Sequence, residues 1–293
     1  MCGIVGFLTA PCGDAPGPAA AADARLRRMT TAIAHRGPDG EGSFHDTGAL
    51  ADVYLGHRRL AIFDPSPRGA QPMSDRSGRY TIVFNGAIYN FRELAVELAR
   101  LHGGPLALRS ETDTEVLVEA WAALGPECLE RLNGMFAFAL WDAATRTLYL
   151  ARDRFGVKPL FYAFLGDRRD AAPRLLFGSE AKALFASGAL APEADRRALV
   201  DFLLTHNIDH QPEGSLFAGV LQVPPTGLVI VRPGSPPVVR RYWRLLPGAQ
   251  RPLSNEVVAE TRDLLLSSLS LRLRADVPLG GTLSGGLDSS LLT

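Results

Sequence analysis

Apolar positions recur with two different periods along this chain. A period near two marks half-buried strands, and one near 3.6 marks amphipathic helices. Residues 2–9 (Cys2-Gly3-Ile4-Val5-Gly6-Phe7-Leu8-Thr9) read as a buried first strand. A loop rich in Pro, Gly and Ala follows over about 10–20. Residues 22–34 have helical spacing, with Leu26, Met29 and Ile33 on one face. His35-Arg36-Gly37-Pro38-Asp39-Gly40 is a dense turn signal. Strand-like runs come near 53–63, 79–85, 134–141, 147–151 and 159–164, and helical patterns cover about 90–101 and 113–124. Thr112 and Asp113 both suit the cap of the second of these helices. Strands and helices come in groups without steady βαβ alternation. That pattern predicts an α+β fold with large antiparallel sheets.

The stretch 206–253 is punctuated by Pro212, Pro224, Pro225, Pro233, Pro236, Pro237, Pro247 and Pro252. It reads as an extended connector with one or two edge strands. Ser254 then caps an amphipathic helix over about 255–273, with Val257, Val258, Thr261, Leu264, Leu265 and Leu269 expected inward. After Asp276-Val277-Pro278, residues 279–283 read as a short strand leading into a glycine-containing loop.

Composition narrows the function classes. Of 293 residues, 31 are Lys or Arg and 31 are Asp or Glu, so the net charge is zero. This argues against a polybasic nucleic-acid or membrane-surface binder. Cys2, Cys12 and Cys128 are odd in number and widely spaced. They make neither a disulfide framework nor a zinc motif, which points to a reducing compartment. The first residues have no basic region of a signal peptide, and no apolar run is long enough for a membrane span. The expected location is the cytoplasm.

Cys2 is the first candidate for chemistry. Removal of Met1 would leave a thiol and a free α-amine on one residue. The amine, with an unperturbed pKa near 8, could accept a proton beside the nucleophile, which suits attack on an amide carbonyl. Taken alone, Cys2 could equally be a small strand residue. The wider pattern adds His35-Arg36-Gly37-Pro38-Asp39, Gly56-His57-Arg58-Arg59-Leu60-Ala61-Ile62-Phe63-Asp64 and Gln71-Pro72-Met73. It continues with Phe84-Asn85-Gly86-Ala87-Ile88-Tyr89-Asn90, Thr112-Asp113-Thr114-Glu115-Val116 and Gly134-Met135-Phe136-Ala137-Phe138-Ala139. Arg152-Asp153 to Lys158-Pro159-Leu160, Gly178-Ser179-Glu180-Ala181-Lys182 and Leu283-Ser284-Gly285-Gly286-Leu287-Asp288-Ser289-Ser290 complete it. This ordered series resembles the glutamine-hydrolysing asparagine synthetase family over essentially the whole chain. That family joins a class II glutamine amidotransferase domain to an ATP-pyrophosphatase synthetase domain.

The resemblance implies an N-terminal-nucleophile αββα sandwich over 2–218, a linker over 219–253, and the opening of an α/β synthetase domain over 254–293. It implies that Cys2 is the glutaminase nucleophile. It implies that the Asn85 side chain and the Gly86 N–H hold the oxyanion, although an Asn-Gly pair by itself also marks hairpin turns. Arg59 would clamp the substrate carboxylate, and Asp113 would face the ammonium. On their own these two could be a surface ion-pair partner and a helix cap. The backbone of Leu60, Ala61, Ile62 and Phe63 would line the pocket. Ala87 stands where the family carries a Glu that contacts the ammonium, so weaker glutamine binding is expected. His35 and His57 are read as structural hydrogen-bonders. Cys12 and Cys128 are read as incidental, and Phe136, Phe138 and Trp141 as core. Arg152 to Lys158 reads as a charged turn without an assigned role.

Ser284, Gly285, Gly286, Leu287, Asp288, Ser289 and Ser290 have the hydroxyls and small residues of an anion cradle. By resemblance this loop holds the phosphates of ATP, with Asp288 near Mg²⁺ and Leu283 against the adenine. The family reaction activates aspartate as an adenylate, and ammonia from glutamine, passing between the domains, converts it to asparagine. Expected partners are therefore glutamine, aspartate and ATP, with no nucleic acid and no membrane; a homodimer stays open. Since only the first loop of the synthetase domain is present, the expectation for this chain alone is glutaminase activity, unless a separate polypeptide supplies the rest. Two rival readings are an amidotransferase acting on another carboxylate in secondary-metabolite or cell-surface biosynthesis, and an inactive fragment. A sugar-phosphate or phosphoribosyl amidotransferase fits less well, because the synthetase loop is foreign to those families.

Overall fold

Two six-stranded antiparallel sheets stack face to face with helices on both outer sides. The structure, a computed structural model, describes residues 1–11, 16–166, 174–206 and 213–292. The first half supplies β1 (Gly3–Thr9), α1 (Pro16–Ala32), β2 (Gly40–Asp46), β3 (Asp52–Arg59), β4 (Met73–Ser74), β5 (Tyr80–Ile88), α2 (Phe91–Leu101) and α3 (Asp113–Leu124). The second supplies β6 (Gly134–Asp142), β7 (Thr147–Arg152), β8 (Phe161–Leu165), β9 (Arg174–Gly178), α4 (Ala181–Ala186) and α5 (Arg196–Thr205). Last come β10 (Leu221–Gln222), β11 (Gly227–Val231), β12 (Val238–Arg241), α6 (Asn255–Arg272) and α7 (Leu287–Leu292). One sheet runs β10-β8-β9-β1-β3-β2 and the other β12-β11-β7-β6-β5-β4.

Side-chain alternation along the strands explains the layers. Ile4, Leu8, Val53 and Leu55 of the first sheet meet Val83, Ala139, Trp141 and Leu150 of the second in a fully buried middle layer. Val5, Phe7 and Tyr54 point the other way and pack under Leu26, Met29 and Ile33 of the α1 region. Ile82, Phe84, Phe136 and Phe138 face Leu94, Val116, Leu117 and Trp121 of α2 and α3. Three apolar layers between two sheets and their flanking helices make the αββα sandwich. Phe136, Phe138 and Trp141 are core residues, as their alternation predicts.

Four sequence readings change. First, α1 begins at Pro16, inside the stretch expected to be loop, because proline is tolerated in the first turn of a helix. Second, 219–253 is woven into both sheets. β10 and β12 are edge strands, but β11 is an interior strand, paired with β7 and β12, and every residue in it is buried. The prolines sit at its ends, where no ladder hydrogen bond is lost. Third, Ser254 caps α6 by accepting from Val257 N–H at 3.3 Å, yet no residue of α6 is buried, and Val258, Leu264 and Leu265 are exposed. Fourth, 279–283 forms no strand, since no neighbouring strand offers it a ladder. Cys12 lies outside the described residues, and Cys128 is buried. Among the described residues, no helix is long and apolar enough to cross a membrane.

The Arg152–Lys158 turn, which had no assigned role, is a folded knot. The buried Asp153 carboxylate accepts from the N–H groups of Phe136 at 3.1 Å and of Phe155, Val157 and Lys158 at 3.0 Å each. Arg152 donates to the carbonyls of Gly156, Lys158 and Val223. The knot delivers the Lys158 side chain to the buried side of the N-terminus. Asp153→Ala would strand four donors at once, and is expected to cost about 3 kcal/mol or more of stability in urea unfolding. An unchanged midpoint would mean that water serves those donors equally well.

Candidate active site

One edge of β5 organises the pocket. β4 pairs with β5 only at Thr81 and Ile82, while β6 covers the other edge along the whole strand. In an antiparallel strand the N–H groups alternate between edges. Those of Phe84, Gly86 and Ile88 point away from β6, since Phe136, opposite Gly86, spends its own N–H and C=O on Asp153. Phe84 N–H donates to Gln71 Oε1 at 2.7 Å, and Ile88 N–H donates to Asp113 Oδ2 at 2.8 Å. Gly86 N–H lies between them and faces the pocket. A Cβ on Gly86 would sit 2.3 Å from the Met135 carbonyl oxygen, so only glycine lets β5 and β6 close here. Asn85-Gly86 is therefore strand, and the hairpin-turn alternative falls.

The Asn85 side chain completes the feature. Asn85 is buried, and its Nδ2 has no hydrogen-bond partner. A buried, unpaired donor is costly and calls for an explanation. The same pocket is lined by Cys2, Arg59, Leu60, Ala61, Ile62, Phe63, Gly86, Ala87 and Asp113, joined by Met1, Gly69, Gln71, Phe84, Thr112, Thr114, Met135 and Lys158. Its volume is about 110 Å³. The N-terminal candidates scattered over 112 residues of sequence thus converge.

Cys2 is held from both sides. Its Sγ accepts from Leu60 N–H at 3.3 Å and donates to Leu60 O at 3.5 Å. Its carbonyl accepts from Arg36 Nε at 2.9 Å. Arg36 is held in turn by Glu180, which also meets His35 at 2.9 Å. Ser179 Oγ accepts from Ile4 N–H at 3.0 Å and secures the start of β1. Burial pushes the Cys2 thiol above its ordinary pKa, so it rests protonated. Burial also lowers the Met1 α-amine, with help from Arg36 and Lys158. Lys158 is buried beside them, and its ammonium is lowered by burial and by Arg36.

Arg59 emerges from the end of β3 and is held by the next turn of chain. Its guanidinium donates to Ser66 O at 2.8 Å, Asp64 O at 2.5 Å and Phe63 O at 3.4 Å. A Cβ on Gly69 would lie 2.1 Å from Arg59 Nη2, so glycine makes room for the guanidinium. Asp39 steadies the strand end, accepting from Ala61 N–H at 2.8 Å and donating its own N–H to Arg59 O at 3.0 Å. Across the pocket, Thr112 caps α3 by accepting from Glu115 N–H, which leaves Asp113 in the first turn. Asp113 is buried, and burial pushes its carboxyl up to about 7 despite the Ile88 N–H bond. Among the described residues it has no cationic partner. A cation entering the pocket would relieve that desolvation cost.

His57 is structural, as read from the sequence. It is fully buried, donates from Nε2 to Phe84 O at 3.2 Å, and is lowered to about 4, so it is neutral. The sequence reading did not assign Arg36, Gly69, Gln71, Ser179, Glu180 and Lys158. All but Gly69 stand in the motifs quoted above, but only three-dimensional contact gives them roles.

The Ser284–Ser290 loop stays apart from this pocket. Ser284 Oγ meets Ser289 Oγ at 2.8 Å, and Ser290 N–H donates to Gly286 O at 3.0 Å. Leu283 and Leu287 are exposed at 60% and 84%, so nothing walls an adenine. No cluster of three His, Cys, Asp or Glu suits a metal among the described residues. The loop has hydroxyls suited to phosphate, but these residues do not by themselves fit ATP or Mg²⁺.

Comparison with known proteins agrees with this geometry. Residues 1–243 match the glutamine amidotransferase domain family, and residues 260–293 match the asparagine synthase family. Two relatives from Bacillus subtilis are named glutamine-hydrolysing asparagine synthetases 1 and 3. They are 35% and 34% identical over all of this chain, which spans 43% and 45% of their lengths. The chain thus covers less than half of these curated relatives. The fold also resembles glutamine phosphoribosylpyrophosphate amidotransferase from B. subtilis, at a TM-score of 0.54 and 18% identity, over 83% of this chain and 50% of that one. At that identity the likeness concerns the fold alone.

Asp113 makes the site's resting electrostatics measurable. In the unfolded chain it ionises near 3.8, and in the folded one near 7, so the folded state binds its proton more tightly. Its charge therefore costs stability as pH rises through that window, and the cost is complete above it. Asp113→Asn is expected to be more stable than wild type at pH 8, by at most about 4 kcal/mol, with the gain gone by about pH 4. Equal differences at both pH values in urea unfolding would contradict a buried, unpaired Asp113.

Proposed function

The chain belongs to the glutamine amidotransferase domain family, and from that membership we propose that its pocket hydrolyses glutamine, with Cys2 as the N-terminal nucleophile. The observation that carries the reading is the buried, unpaired Asn85 Nδ2 next to the Gly86 N–H that β6 does not take, in the wall of the pocket that holds the Cys2 thiol. Donors aimed at empty space are what an oxyanion needs, because they require no reorganisation when charge develops.

Glutamine's ends match the two ends of the pocket. Its carboxylate pairs with Arg59, and its ammonium supplies the cation that Asp113 lacks. Removal of Met1 frees the Cys2 α-amine, which takes the thiol proton as sulfur attacks the amide carbon. Asn85 and Gly86 hold the resulting oxyanion. Its collapse returns the proton to the leaving nitrogen and releases ammonia. Water then cleaves the thioester to glutamate, with the amine again acting as base. A thiol whose pKa is raised by burial needs such a base.

The amidotransferase domain is proposed to end near 243 rather than at 218. The interior position of β11 supports this, as does the Tyr242 hydroxyl, which donates to Arg152 O at 2.9 Å. In the full-length setting the ammonia is proposed to amidate aspartate, the reaction implied by the asparagine synthase match over 260–293. ATP would supply carboxylate activation there. The residues described in this chain account for ammonia release, and glutaminase is the activity proposed for it alone.

Purified chain lacking Met1, verified by intact mass, is expected to release ammonia from glutamine, and Cys2→Ala to abolish the release. Asn85→Ala should lower kcat by about 10²–10³-fold with a smaller change in KM. Ammonia release that survives Cys2→Ala would refute the mechanism. Ala87 lines the ammonium end, where the family carries Glu. Ala87→Glu is therefore expected to lower KM for glutamine by up to about fivefold, the scale of one partly exposed charge contact. A KM that does not move would show Asp113 to suffice.

A further inference from the structure

Beyond α6 the chain turns back onto the pocket. Asp276 Oδ2 accepts from Asp64 N–H at 2.8 Å, and Asp276 N–H donates to Ile62 O at 3.0 Å. Asp276 thus grips the 60–66 turn on both sides of Phe63. That turn supplies the three carbonyls that hold the Arg59 guanidinium. Asp64 sits there at φ 42, a left-handed conformation that a non-glycine residue keeps only when its surroundings enforce it. Its own carboxylate is committed to Ser66 and to Glu111 N–H. The Asp276 carboxylate therefore provides the restraint on its amide.

The gripping segment is itself anchored just past the end of β5 and on the first turn of α2. Arg274 donates to both Glu93 oxygens at 2.7 and 2.8 Å and to Tyr89 O at 2.9 Å, and Arg272 lies 4.7 Å over the Tyr89 ring. Tyr89 follows β5, only a few residues beyond Asn85 and Gly86. Residues 272–276 therefore bridge the turn that holds the carboxylate clamp to the strand that carries the oxyanion donors. This is a specific polar contact, since no residue of α6 reaches full burial. The bridge also belongs to the part of the chain that matches the asparagine synthase family.

We propose that Asp276 is a positioning residue for the glutamine site, holding the Asp64 turn so that Arg59 presents its guanidinium to the substrate carboxylate. The proposal rests on the glutamine reading of the pocket. It assigns Asp276 to binding and leaves the chemical step to Cys2, Asn85 and Gly86. It also implies reciprocity: ligand held by Arg59 must steady residue 276 as much as residue 276 steadies the clamp.

The test is covalent labelling of Cys2 in the 293-residue chain. One probe is a diazoketone analogue of glutamine, which needs the Arg59 clamp, and the other is iodoacetamide, which does not. Asp276→Ala is expected to raise the half-saturating analogue concentration about five- to tenfold, with the limiting rate and the iodoacetamide rate within about twofold of wild type. Asp276→Asn keeps an oxygen acceptor for Asp64 N–H and should stay near wild type. Unchanged half-saturation in Asp276→Ala overturns the proposal, as does an equal fall in both labelling rates. If Asp276→Ala does not fold, hydrogen exchange in wild type decides. Labelling by the analogue should protect the amides of Asp64 and Asp276, and no protection at Asp276 overturns the assignment. A wild type that takes iodoacetamide but never the analogue refutes the glutamine reading itself.

Discussion

The site depends on a strand edge with no strand to cover it. Backbone N–H groups buried away from water must find partners, and an antiparallel strand sends every second one to each edge. Past Ile82, the outer edge of β5 has no neighbouring strand, and side chains from elsewhere fill the gap. Gln71 takes Phe84, Asp113 takes Ile88, and Gly86 between them lines the pocket. The two side chains that satisfy the edge also stand in the pocket wall. Satisfying the backbone and shaping the site are one operation.

The charges in the pocket follow a similar logic. Arg59 is tied to carbonyls rather than to a carboxylate, so its positive charge is aimed without being neutralised. Asp113 is buried with backbone and hydroxyl donors but no cation. Opposite charges kept apart and unpaired are poor for stability and suited to a zwitterion that spans them. The network behind Cys2 differs, because Arg36 there meets the Glu180 carboxylate, which also meets His35. Cys2 is tied to its surroundings through its carbonyl and its thiol, while Arg59 and Asp113 keep their charges without an ionic partner among the described residues.

The sequence errors have a common cause. The prolines flanking β11 suggest an extended connector, yet Leu228, Val229 and Ile230 between them pair on both edges. α6 was expected to bury an apolar face, and its periodicity is real, but a periodic face becomes buried only when another surface meets it. The 279–283 segment carries Gly280 and Gly281 among its five residues, a composition poor for a strand, and has no ladder to join. For β11 and α6 the missing information is the neighbour.

The sequence by itself determined the α+β class, most of the strands and the capping of α3 by Thr112, which follow from periodicity and cap chemistry, local properties of the chain. It named Cys2, Arg59, Asn85, Gly86 and Asp113 as candidates only through the resemblance to a family, and the structure gathers them in one pocket. Tertiary structure alone decided that Asn85, with an unpaired amide, shares a pocket with the Cys2 thiol, and that burial raises the Asp113 carboxyl to about 7. It also made Arg36 and Glu180 the anchor of Cys2, and let Asp276 reach back across 212 positions to Asp64. The reason is physical: hydrogen bonds between distant residues, desolvation and free edges are properties of packed surfaces, and they exist only once the chain has brought those surfaces together.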